Sequence, residues 1–375
     1  MILRYRGRYM LFDPRPKECS HELYGRQKEL RRLLTAFKRG EPLILLLGIR
    51  RVGKTSLLKV ALRESGLPYI YLDLRAVGED GFTRAALYIQ LSGALSRLST
   101  RYRIADYLRR VRGVKILGSG VELDWGMKPP LLNQLFTALN NWAIEQQTRI
   151  IIALDEAQLL RYMTGGKGRL NFRALLAHVY DNLRQLTTVL TGSEIGLLME
   201  FLEAGGKESE FYGRYREEVI LERFNREEAI GYLRAGFREL GIEPEDNSII
   251  DAVEKLDGVV GWLALYGYTA TRNPDKEPKE ILQQVITEAK SVATQELRKL
   301  IYASHNYRLV LKAVAEGVDE WSKIKRRIES WSGKYMSNAA LTRLLTRLQN
   351  LSIVGKSNGR YFFLDPIMRL AALEL

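Results

Sequence analysis

Leu43-Ile44-Leu45-Leu46-Leu47-Gly48-Ile49-Arg50-Arg51-Val52-Gly53-Lys54-Thr55-Ser56-Leu57-Leu58 is the stretch on which the reading of this chain turns. Its unbroken apolar opening has no polar alternation and suits a strand buried on both faces of a parallel sheet. Gly48 and Gly53-Lys54-Thr55 then stand at the spacing of a phosphate-binding loop. Glycines let the backbone curl so that successive N–H groups point inward at an anion. The helix that opens at Lys54 aims its positive end at the same anion. Lys54 reaches the β- and γ-phosphates, and the Thr55 hydroxyl ligates Mg²⁺. A plain glycine turn would not need all four fixed positions between a buried strand and a helix start.

The chain has 375 residues, more than one ordinary core holds, so two or three domains are expected. One cysteine, Cys19, rules out an intrachain disulfide and with it a secreted disulfide scaffold. No apolar run reaches the roughly 18 residues of a membrane span. Met1 to Arg6 lacks the apolar centre of a signal peptide. A cytoplasmic protein with no membrane partner is expected. The net charge of +14 points to polyanionic partners, either nucleotide or nucleic acid, unless it serves solubility or heat tolerance.

Upstream of the loop, Met1 to His21 is a basic lead-in with Pro14 and Pro16. Leu30, Leu33, Leu34 and Phe37 keep helical spacing before Gly40 and Pro42. Downstream, Tyr69 to Leu74 reads as a second strand and Gly81 to Val111 as helical. The later part of that helical stretch, with Arg97, Arg101, Arg103, Arg109, Arg110 and Arg112, reads as a solvated face or a basic docking face. Gly113 to Trp125 alternates as a small hairpin or extended excursion, and Leu131 to Gln146 reads as a helix.

A third apolar strand, Ile150 to Leu154, ends in Asp155-Glu156. About a hundred residues after a phosphate loop, that pair suits a metal partner, Asp155, acting directly or through a bound water. Glu156 suits the general base, because a carboxylate near the γ-phosphate can orient and deprotonate water. After the glycine-rich link Gly165 to Gly168 and a helix from Phe172 to Arg184, the strand Thr187 to Gly192 ends at Ser193. A hydroxyl there suits a phosphate sensor or a helix cap.

Beyond Phe211-Tyr212-Gly213-Arg214 and a short strand, Asn225 and Glu228 form a capping box that opens two or three helices reaching about Arg298. The last part has three helices, from about Tyr307, Glu320 and Asn338, followed by two β-runs flanking Ser357-Asn358-Gly359. That is a winged helix-turn-helix. From Leu300 onward twelve basic residues face six acidic ones. Arg343 and Arg347 on the third helix, with Lys356 and Arg360 on the wing, are the candidate contacts to duplex DNA. A protein-docking role for the same module is the competing reading. No zinc-ligand cluster is apparent, the three histidines are scattered, and nothing sets the oligomeric state.

Leu23-Tyr24-Gly25-Arg26, the loop with its double arginine, Leu154-Asp155-Glu156-Ala157-Gln158, Thr191-Gly192-Ser193 and Gly213-Arg214 together resemble the archaeal ATPase family, in the signal-transduction branch of the AAA+-like phosphate-loop NTPases. The resemblance implies an α/β fold: a parallel P-loop NTPase sheet followed by a helical lid and a winged-helix domain. The expected divisions are 1–22 lead-in, 23–222 ATPase core, 223–298 lid and 299–375 winged helix. It implies ATP/ADP and Mg²⁺ as ligands. It also implies Tyr24, Gly25 and Arg26 near the adenine, and Arg214 near the γ-phosphate. The chain departs from the family at Ile49, where proline is usual, and at Val260, in the apparent proline place of a lid element.

Overall fold

The computed structural model describes residues 11–124, 126, 129–163, 170–203 and 206–375. Ten residues of the lead-in, Trp125 at the end of the excursion and the link Gly165 to Gly168 lie outside the described residues.

Nine strands are formed among the described residues: β1 Leu43–Leu47, β2 Tyr69–Asp73, β3 Val114–Leu117, β4 Gly120–Leu123, β5 Ile150–Asp155, β6 Leu186–Gly192, β7 Glu217–Ile220, β8 Val354–Ser357 and β9 Arg360–Phe363. Five make one parallel sheet in the order β2-β5-β6-β1-β7. β1, β5 and β6 are buried at every residue, β1 and β5 as apolar runs covered on both faces and β6 with three buried threonines among its apolar residues. The edge strands break that pattern, β2 with exposed Tyr69 and β7 with exposed Ile220. Two cores fill the faces. One packs helices Arg84–Tyr102, Leu132–Glu145 and Phe172–Asn182 on the sheet, and the other packs Gln27–Arg39 and Lys54–Glu64. β1 and β2 are adjacent in sequence but not in the sheet, because β5 and β6 are inserted between them. That insertion sets the ends of the loop strand and the acid strand on either side of Thr191 and Gly192.

The stretch expected to be helical from Gly81 to Val111 divides into Arg84–Tyr102 and Ala105–Leu108, with Arg103 left-handed between them. The excursion is an antiparallel hairpin, β3 with β4, held on helix Arg84–Tyr102 by the hydroxyls of Ser92 and Ser96. Four helices, not two or three, follow the sheet: Arg226–Glu239, Asp246–Leu256, Val260–Arg272 and Pro278–Ala303. Both halves of the capping box are made, at 2.9 Å each.

The lid and the winged helix share one hydrophobic core. Helix Pro278–Ala303 runs through both and packs on the terminal helix Pro366–Leu373, so the expected division after Arg298 lies inside a helix. Helices Asn306–Ala315, Trp321–Ser332 and Asn338–Asn350, with the β8–β9 hairpin, form the winged helix. Asn358 and Gly359 both take positive φ, as a two-residue hairpin turn requires. The lead-in contributes to this core. Phe12 is fully buried against Tyr232 and Phe237 at ring distances of 5.7 and 5.0 Å. Its ring lies where a Cβ on Gly236 or Gly267 would stand, 2.3 and 2.4 Å away, so glycine is required at both positions.

Candidate active site

A cavity of ≈ 670 Å³ opens at the carboxyl ends of β1, β5 and β6, where open α/β sheets take their ligands. The phosphate loop forms its floor. Gly48 approaches Leu221 so closely that a Cβ would meet that carbonyl oxygen at 2.5 Å, and Gly53 takes φ +97°. Lys54 is buried and donates to the carbonyls of Gly48 and Ile49, both at 2.8 Å. Burial pulls its ammonium down to about 8, against the opposing pull of Glu156 and Asp155.

Three hydroxyls converge on Asp155, which is wholly buried behind the cavity wall. Thr55 donates to it at 2.8 Å, Tyr71 at 2.9 Å, and Thr191 also donates. An oxygen-only set of a threonine hydroxyl and a carboxylate at the head of the loop helix is the donor chemistry that Mg²⁺ takes, usually keeping several waters. Asp155 behind Thr55 suits a contact made through such a water.

Glu156 takes a left-handed backbone, φ 58° and ψ 48°, a conformation that costs a non-glycine residue about 1–3 kcal/mol. Its N–H donates to Thr191 at 2.9 Å, and that bond holds the turn. The turned side chain lines the cavity, and its Oε2 accepts from Ser193 and Gln158, both at 2.6 Å. Gln158 stood in the sequence motif without an assigned role. Its role as a clamp on the carboxylate comes from the short helical turn after β5.

At the other end of the cavity the wall is aromatic: Tyr24, Phe224 and Tyr232, with Tyr24 edge-on to both partners. Arg26 is buried there, 4.5 Å over Phe224, and donates to the carbonyl of Glu222 at 2.6 Å. Gly25 turns the chain against Phe224. Gly48, Gly25, Ile49 and Asp155 therefore support the cavity from behind, while Tyr24, Arg26, Arg50 to Ser56, Glu156 and Ser193 line it.

The two loop arginines reach across the molecule. Arg50 pairs with Glu194 at 2.9 Å and with Glu296 at 2.7 Å, while Arg51 pairs with Glu296 at 2.8 Å and stacks 4.2 Å over Trp262. Burial works against the Arg50 charge, but Glu296 and Glu194 outweigh it and raise the guanidinium above its ordinary value. Trp262 in turn donates to Asp365, the buried cap of helix Pro366–Leu373, at 3.0 Å. At the departure from the family, Val260 lies against Gly53, and Gly261 donates to the Arg51 carbonyl at 2.9 Å. The lid touches the loop without the proline. Glu194, Glu296, Trp262, Lys17 and Arg75 also line the cavity, and none was legible as a site residue.

Arg214 is not brought to the cavity. It pairs with Asp181 at 2.9 Å, donates to the Ala177 carbonyl and lies over Tyr180 and Phe211. Cys19, His21 and Glu22 do approach one another within 4.8 Å, although Glu22 is already used, accepting from the N–H groups of Glu18 and Cys19.

In the winged helix Arg343 is exposed and Arg347 half-buried. Lys356 lies 5.0 Å over Tyr361, and Arg360 pairs with Asp319 at 3.0 Å. The far end of helix Asn338–Asn350 is docked on the ATPase core. Asn350 packs on Gly196, and Ser352 accepts from the N–H of Ile195, three residues beyond Gly192.

Sheet order, loop and acid strand define a phosphate-loop NTPase. A family model for ATPase domains predominantly from Archaea matches residues 23–265, and the chain belongs to that family. A second model, for the C-terminal winged helix-turn-helix domain of MCM proteins, matches residues 302–363. Among solved structures, a Walker-type ATPase of Pyrococcus abyssi is similar over 97% of this chain and 99% of its own, at 33% identity and TM-score 0.84. The ORC2 protein of Aeropyrum pernix shares the fold, at 16% identity and TM-score 0.63 over 97% of this chain and 95% of its own. No curated protein matches the chain. No helix among the described residues is long and apolar enough to cross a membrane.

Nucleotide binding by such a site carries a pH signature. Phosphate beside Lys54 favours its charged form, so binding must recharge the lysine once the pH exceeds about 8. ATP affinity is expected to fall as pH rises through that value. Calorimetry near pH 9 in buffers of different ionisation heat is expected to show proton uptake on binding that nearly vanishes near pH 7.

Proposed function

We propose that the chain is a Mg²⁺-dependent ATP hydrolase whose nucleotide state biases the lid and winged helix, and that the winged helix binds duplex DNA. The observation that carries the hydrolase reading is the Glu156 carboxylate. It is held at the cavity by Ser193 and Gln158, one residue beyond an aspartate that accepts from Thr55. In this reading the aromatic wall takes the adenine, and Lys54 and the loop N–H groups take the phosphates. Thr55 and Asp155 would hold the ion, whose charge neutralises phosphate oxygens. Glu156 orients the attacking water and accepts its proton. Ser193 and Gln158 keep that carboxylate aimed.

The switch is supported by the contacts of the loop itself. Arg50 and Arg51 share Glu296 on helix Pro278–Ala303, and Trp262 joins Arg51 to Asp365. A shift of the loop therefore acts on the lid and the winged helix together.

The DNA part has its own test. Fluorescence anisotropy of a labelled duplex is expected to show binding that weakens steeply with salt. Changing Arg343→Ala and Arg347→Ala together is expected to reduce affinity and to flatten the salt slope by about 1.8, two phosphate contacts' worth. One observation favours a protein-docking module instead, namely the docking of Asn350 and Ser352 on the ATPase core. Absence of duplex binding at low salt would decide for it.

A further inference from the structure

A second cavity, of ≈ 570 Å³, lies at the β2 edge of the sheet. Two helices supply its charge. Lys59 and Arg63, four apart on helix Lys54–Glu64, share one face, and so do Arg97 and Arg101 on helix Arg84–Tyr102. β2 supplies Tyr69 and Tyr71, which point to the same side of the sheet because they are two residues apart, and Tyr102 completes the wall. Glu18 is the only acid lining the cavity among the described residues, and it pairs with Lys59 at 3.1 Å. Arg63, Arg97 and Arg101 form no ion pair among the described residues, whereas both loop arginines and Arg214 are paired. Three guanidinium groups with no carboxylate partner among the described residues thus converge on one concavity beside tyrosine rings. Tyr69 is 37% exposed, and Arg101 lies 5.2 Å over Tyr102.

We infer that this groove binds single-stranded nucleic acid. Interleaved cations and aromatic faces suit a strand whose phosphates meet guanidinium groups while its bases stack on the rings. A rigid duplex keeps its bases stacked inside and could not use Tyr69. An acidic peptide would find the cations but would leave the tyrosine rings without planar partners. Tyr71 links the groove to the nucleotide site, since its ring lines the groove and its hydroxyl donates to Asp155 behind the cavity wall. Arg343 and Arg347, on helix Asn338–Asn350 of the winged helix, are not part of it, so the two nucleic-acid surfaces stand or fall separately.

The test is fluorescence anisotropy of a labelled oligothymidylate with the full chain over a range of salt. Arg97→Ala with Arg101→Ala is expected to weaken binding about tenfold at low salt and to flatten the salt slope by about 1.4, two contacts at the single-strand value. Tyr69→Ala is expected to weaken it about tenfold with the slope unchanged, because stacking is lost and charge is not. Arg63→Ala, on the other helix, repeats the charge test should the double variant melt early. The inference is overturned if all three bind the oligonucleotide like the wild-type chain. It is also overturned if only the Arg343 and Arg347 changes matter, or if AMP at equal phosphate concentration displaces the strand, which would mark a small-anion site.

Discussion

Replacing Glu156 by Gln is expected to leave ATP binding close to wild type while slowing hydrolysis about 10²–10⁴-fold, the range a positioned general base supplies. The amide keeps the volume and can still accept at its oxygen from Ser193 or Gln158, so the clamp survives. What it loses is the capacity to take a proton. The left-handed backbone at Glu156 is held by its own N–H to Thr191 and does not depend on the side chain. Calorimetry with ATP and a phosphate-release assay on the same preparation separate the two effects. Wild-type turnover in the variant would mean that another group activates the water. Loss of ATP binding would mean that the carboxylate serves the architecture of the cavity.

Phe12→Ala is expected to destabilise the lid and winged-helix unit by about 3–5 kcal/mol, the cost of deleting a fully buried phenyl ring that the surroundings cannot refill. Gly236 and Gly267 have no side chains with which to close the gap, and Tyr232 is held in place by its hydroxyl, which donates to the Leu11 carbonyl at 2.8 Å. Phe12→Leu keeps most of the volume and is expected to lose less than half as much. Urea unfolding followed by tryptophan fluorescence reads this unit well, since Trp262, Trp321 and Trp331 all lie within it. A loss below about 1 kcal/mol would show that the lead-in only rests on the lid. Asp13 to Lys17, directly after the ring, line the nucleotide cavity. Releasing the ring therefore frees part of that wall as well.

The features legible in the sequence are those that neighbouring residues decide. The phosphate loop follows from glycines at two positions and a helix start, because backbone sterics act over a few residues. The capping box at Asn225 and the Asn-Gly turn of the wing are local in the same way. Buried strands declare themselves by apolar runs in β1 and β5 and by β-branched residues in β6, so the three could be read one by one. Their order could not, since pairing depends on which apolar faces the whole chain buries together.

The same division runs through the site. Lys54, Thr55 and Asp155-Glu156 stand in motifs whose spacing carries their chemistry. The partners of Arg50 and Arg51 are 144 to 246 residues away, and only packing of the helix Pro278–Ala303 against the loop selects them. Arg214 is assigned by analogy of position, whereas its place in the fold, paired with Asp181 on an adjacent helix and outside the cavity lining, is a matter of tertiary packing. The described part of the lead-in, from Leu11, has no regular element before Ser20, yet Phe12 is as buried as any strand residue. Short-range propensity does not register a ring whose pocket is made by two glycines more than two hundred residues later, and only the closed tertiary fold supplies that pocket.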